Sequence, residues 1–108
     1  MGVIENFEKM LAAGQDNALL RYSLGNEYFK RGDAAMAAEH LAMALQLDAG
    51  YSAAWKLYGK VLTELGHRPE AMAAYEQGIE AAEARGDKQA AREMQVFLQR
   101  LPTLLSPQ

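Results

Sequence analysis

Cysteine is absent from this chain of 108 residues, proline occurs three times, and β-branched side chains number seven: three Val, two Ile and two Thr. Without cysteine there is no disulfide, thiol nucleophile or thiolate metal site, and a reducing, cytoplasmic setting is the expectation. Against those seven stand 20 Ala and 14 Leu, so helix formers dominate and a β-rich fold is excluded. No apolar run approaches the roughly 18 residues of a membrane-spanning helix. Glu5 interrupts the N-terminus where an export signal would carry basic and then apolar residues. The net charge is −3, which leaves no concentrated basic surface, so neither nucleic acid nor membrane is an expected partner.

Half of the residues are apolar and 23% are charged, the balance of a folded domain. At this length a single modest core is expected, burying roughly 65% of the unfolded surface. Glycines punctuate the chain. Gly32-Asp33, Gly50, Gly66-His67-Arg68-Pro69 and Gly86-Asp87 separate stretches with apolar residues three or four apart. These breaks predict an all-α protein of six helices over 3–13, 17–31, 34–47, 52–65, 69–84 and 88–101. Asp33 and Asp87 are placed to cap the helices that follow, and Pro69 suits a first helical turn. Linkers this short imply antiparallel hairpins. Gly25, Gly59 and Gly78 fall inside helical patterns at a cost of about 1 kcal/mol each relative to Ala, which marks close helix crossings. The tail 102–108 does not continue the last helix; it is frayed or docked by Leu104 and Leu105.

Displacing the chain by 34 residues aligns Gly25 with Gly59, Gly32 with Gly66 and Ala37 with Ala71. Large residues match in kind: Leu24 with Tyr58, Tyr28 with Leu62, Leu41 with Tyr75, Leu45 with Ile79. The two units read Arg21-x2-Leu24-Gly25-x2-Tyr28, Ala37-x3-Leu41, Ala44 and Trp55-x2-Tyr58-Gly59-x2-Leu62, Ala71-x3-Tyr75, Gly78. This pattern resembles the tetratricopeptide repeat (TPR), a 34-residue helical hairpin. Arg21 replaces the signature tryptophan in the first unit, and Ala49 and Glu83 replace the terminal proline. The resemblance implies an α-α superhelix: repeats at 18–51 and 52–85, a preceding half-repeat at 3–13 carrying Val3, Phe7 and Met10, and a capping helix at 88–101, all in one domain of residues 1–101.

Chemistry-bearing constellations are absent. His40 and His67 stand alone and are read as surface residues, His40 on the outer part of a helix and His67 in a turn. Neither has metal-ligand spacing, and no P-loop, GxSxG or GxGxxG occurs. Acidic residues such as Glu27, Glu39, Glu64, Glu70, Glu76, Glu80 and Glu83 read as solvated helix exteriors. Arg31-Gly32-Asp33 and Arg85-Gly86-Asp87 spell an adhesion tripeptide but are explained by a basic last turn, a glycine stop and an aspartate cap. No catalytic, metal or cofactor site is expected.

In TPR arrays the first helix of each hairpin lines a concave groove. The resemblance places Tyr22, Asn26 and Phe29, then Lys56 and Lys60, on that face, with Gln89 and Arg92 extending it. Of the two-carboxylate clamp found in some TPR proteins only Asn26 matches; Tyr22, Leu57 and Ala91 occupy the other clamp positions compared. Lys56 and Lys60 form a basic strip suited to a peptide with an acidic or C-terminal carboxylate group, and they read equally well as solubilising lysines. The expected function is a non-catalytic protein-interaction module that binds a peptide or helix of a partner protein. Self-association through Val3, Phe7, Met10, Leu11, Leu104 and Leu105 is the alternative. A small-ligand carrier or an enzyme is the third.

Overall fold

The computed structural model describes residues 2–101. Six α-helices follow one another: α1 (Val3–Ala12), α2 (Ala18–Lys30), α3 (Ala34–Leu47), α4 (Ser52–Glu64), α5 (Arg68–Ala84) and α6 (Lys88–Arg100). Each boundary lies within one residue of the sequence expectation. The punctuation residues do what their chemistry allows. Asn17, Asp33 and Asp87 accept hydrogen bonds from the backbone N–H groups of Leu20, Met36 and Ala90 at 2.8, 3.1 and 3.1 Å. At the other ends, Gly32 and Gly66 adopt φ of +85° and +79°. That left-handed residue lets the next N–H turn back: Asp33 N–H donates to Tyr28 C=O and His67 N–H to Leu62 C=O, both at 2.9 Å. Leu104 and Leu105, the suggested docking residues of the tail, lie outside the described residues.

α2 with α3 and α4 with α5 form the two hairpins, and consecutive hairpins stack so that α3 packs on α4 and α5 on α6. The core is drawn out along the stack, its parts joined through Tyr28, Trp55, Tyr58 and Leu101. Burial is divided among clusters strung along the stack: Ile4, Leu20 and Leu24 between α1 and α2; Ala37, Leu41, Ala44, Leu45, Ala54 and Val61 around α3; Leu62, Ala71 and Ala74 between α4 and α5; and Tyr75, Ala82, Ala91 and Met94 toward α6. Each hairpin exposes apolar surface on both sides and covers it with its neighbours, so the protein grows as a row and not as a sphere. Its extents are 48 × 33 × 19 Å and its radius of gyration is 14.4 Å, above the roughly 13 Å of a compact chain this size.

The crossing inside each hairpin depends on a missing side chain. A Cβ at Gly25 would lie 2.7 Å from Leu41 Cγ, and one at Gly59 would enter the Tyr75 ring. Leu41 and Tyr75 are fully and almost fully buried there. Gly59→Leu should therefore lower unfolding stability by about 3 kcal/mol, the upper end of overpacking costs. Chemical denaturation measures it, and an unchanged transition would show that the α4–α5 crossing is not tight in solution.

Candidate functional site

The 34-residue correspondence puts Tyr22 and Asn26 of α2 on the same face as Lys56 and Lys60 of α4. Tyr22 is half-buried and its ring lies 5.1 Å from that of Tyr51, which introduces α4. Phe29 is drawn inward against the Ala37–Leu41 cluster and presents an edge to a shallow hollow with Gly32, Ala34 and Glu64. Between α4 and α6 the inner face opens into a hollow of about 300 Å³ lined by Ser52, Ala53, Lys56, Gln89, Ala90 and Glu93, among others.

The lysines are present on this face, but the strip is not simply basic. Lys56 Nζ donates to Glu93 Oε1 at 2.7 Å, and Gln89 Nε2 donates to the other carboxylate oxygen at 3.4 Å. The Lys56 ammonium, helped by Gln89, holds the Glu93 carboxyl below the usual carboxylate range. Lys60 is exposed, with its ammonium 4.9 Å above the Phe97 ring, where the negative face of the aromatic attracts it. Glu93 and Phe97 were not anticipated as groove residues. Arg92 is not brought to the group: it lines a separate hollow between α5 and α6 with Glu83, Lys88, Ala91 and Gln95. The reason is the phase of α6. Ala91 and Met94 turn into the α5 contact, which sends 89 and 93 toward α4 and 92 and 95 the other way.

His40 is a second correction. Expected on the surface, it is 5% exposed and packed against Tyr28, with ring centroids 5.5 Å apart and planes 8° from parallel. Arg21 Nη1 lies 3.2 Å from Nδ1, whereas the Glu8 carboxylate, 3.8 Å from Nε2, is beyond hydrogen-bond distance and leaves that nitrogen without a partner. The repeat itself carries the signal, since position 40 corresponds to the buried Ala74. Of the apolar residues suggested for self-association, Phe7 and Leu11 turn inward against Leu20 and Leu24, while Val3 and Met10 stay exposed. Among the described residues, no cluster of three or more His, Asp or Glu is arranged to hold a metal ion, and no helix is long and apolar enough to cross a membrane.

This arrangement of stacked hairpins has known relatives. A TPR repeat-containing protein of Pseudomonas aeruginosa is 52% identical over 99 residues, spanning 92% of this chain and 94% of that protein. The chain belongs to the tetratricopeptide-repeat family. No protein-family model matches it. The solution structure of a Bordetella parapertussis protein is similar at 46% identity, with a TM-score of 0.81 over 94% of this chain and 88% of that one. A TPR domain protein of Salinibacter ruber, solved by crystallography, follows at 26% identity and TM-score 0.74, covering 80% and 96%. TPR arrays serve in general as protein-interaction scaffolds without chemistry of their own.

If the α4–α6 ion pair persists in solution, Lys56→Ala should raise the Glu93 carboxyl pKa toward its ordinary value of 4.5. Carboxyl-resolved NMR titration reads this directly, and an unmoved midpoint would show that Lys56 does not hold Glu93.

Proposed function

We propose that the concave face binds an extended peptide or short helix of a partner protein, without catalysis, and that the bound segment carries a carboxylate. The observation that carries this reading is the pair of adjacent ammonium groups on α4 beside an open hollow. Among the described residues Lys60 makes no ion pair and its ammonium lies over an aromatic face, while Lys56 is held by a half-exposed partner. Exposed ion pairs contribute about 0–1 kcal/mol, so an incoming carboxylate can replace Glu93 on Lys56 with little loss. Ala53 and Ala90 give the hollow a small-residue floor on which a partner backbone can lie close, and Tyr22 and Asn26 continue the surface toward α2. Glu93 acts as an internal competitor that discourages weakly charged segments.

Lys56→Glu combined with Lys60→Glu should abolish partner binding while helicity and thermal midpoint stay nearly unchanged. Glu93→Gln should instead tighten binding of an acidic peptide, because it frees Lys56. Affinity capture followed by titration calorimetry on the captured peptide segment distinguishes these outcomes. Equal affinity in the wild type and the double reversal would remove the groove lysines from the site.

Self-association is the second reading, favoured by exposed Val3 and Met10 on α1. Sedimentation at micromolar concentration checks it, and a strict monomer would dismiss it.

A further inference from the structure

Between α2 and α3 of the first hairpin, polar side chains fill the space on one side of the crossing. Arg21 and His40 meet there, with Nη1 3.2 Å from Nδ1, and Glu39 precedes the histidine. The 34-residue frame puts Trp55, Ala74 and Ala73 at the corresponding positions of the second hairpin. Two alanines in place of a histidine and a glutamate remove side-chain volume, and a hollow of about 260 Å³ opens between α4 and α5. Trp55, Tyr58, Leu62 and the two alanines form most of its wall, which makes it largely apolar.

The end of α6 leads to this hollow. Leu101 closes the helix in an extended conformation, with φ −63° and ψ +134°, and the following Pro102 disfavours the helical region for the residue before it. Leu101 packs, half-buried, against the cluster of Leu62, Ala71 and Ala74, which Trp55 and Tyr58 also join. It therefore abuts residues that wall the hollow. Arg68 gives a second, independent observation. It stands seven residues before Tyr75 and eleven before Ile79, on the stripe of α5 that packs against α6. Its Nη1 is buried and has no hydrogen-bond partner. A buried donor without an acceptor is costly, and the chain leaving α6 carries backbone carbonyls past that stripe.

We propose that residues 102–105 run from Leu101 past Arg68 into the hollow, where Leu104 seats against Trp55 and Leu62 and a carbonyl of the segment accepts from Arg68 Nη1. Pro102 favours polyproline II, in which residues three apart share a side and each residue advances about 3.1 Å. Leu104 thus follows Leu101 onto the same surface roughly 9 Å further along. Its burial withdraws the leucine and the exposed edges of Trp55 and Tyr58 from water together. The docked segment does for the second hairpin what Arg21 and His40 do for the first, and it keeps the hollow from partner segments and from other copies of the chain.

Trp55 is the single tryptophan, so its indole reports on the hollow without ambiguity. NMR of the full chain should show contacts between the Leu104 methyls and that indole. The Leu104 amide should have an order parameter near 0.85, where an undocked tail falls below 0.6. Ala73 is exposed, so Ala73→Glu puts a charge into the hollow without entering the hairpin crossing. It should remove the methyl–indole contacts and drop the Leu104 order parameter below 0.6 while helicity is retained. Arg68→Met keeps an apolar stem but loses every donor, and it should lower the same order parameter; no change would overturn the carbonyl contact. A wild-type value below 0.6, or one that survives Ala73→Glu, would overturn docking in this hollow. Mixing labelled with unlabelled protein identifies the occupant: Leu104–Trp55 contacts between differently labelled chains would assign the hollow to a second copy and overturn the intramolecular docking.

Discussion

The absence of a side chain at the same position of both hairpins is the constraint on which the architecture depends. Gly25 and Gly59 remove the Cβ where Leu41 and Tyr75 cross over, and those residues seal each pair from within. A helix pays for an interior glycine with about 1 kcal/mol of propensity, so the residue persists only where close approach returns more. Once the hairpins close, α3 contributes Ala37, Leu41, Ala44 and Leu45 and α4 contributes Ala54 and Val61 to one buried cluster, and the stack follows. Among the described residues the two outer helices, α1 and α6, have neighbours on one side only, and each is apolar on one face and polar on the other.

That geometry also sets what the inner face presents. The first helices of successive units show it residues 34 apart, so Tyr22 and Asn26 give way to Lys56 and Lys60 along one strip. α6 then adds Glu93 and Phe97, which temper the charge and hold the lysine side chains in defined positions. On the side where α1 docks, the same repeat frame holds polar residues that its second copy replaces with apolar ones.

Much of the fold was legible because its signals are local. The caps at Asp33 and Asp87, the glycine stops and the apolar spacing are properties of a few adjacent residues, and they set every helix boundary within about a residue. The hairpin crossing was legible too, through the coincidence of interior glycines at the repeat distance. The site was less so. Arg92 was misassigned because the 34-residue frame lapses after residue 85, leaving the rotation of α6 to be fixed by where Ala91 and Met94 pack. His40 was misassigned because histidine usually seeks the surface, and its type outweighed its position beside Ala37, Leu41 and Ala44 on a buried helix face. Glu93 opposite Lys56 is a contact across 37 residues, set by packing and invisible to spacing rules.

The most direct test of the central constraint is a double-mutant cycle joining Gly59→Ala with Tyr75→Leu. Alanine improves helix propensity wherever it is placed, so the cycle cancels that gain and isolates the crossing. Tight closure predicts that Gly59→Ala destabilises the wild type but is tolerated once the Tyr75 ring is gone, a coupling of at least about 1 kcal/mol. Additive effects of the two substitutions would contradict it, since they would mean that the helices do not meet at Gly59.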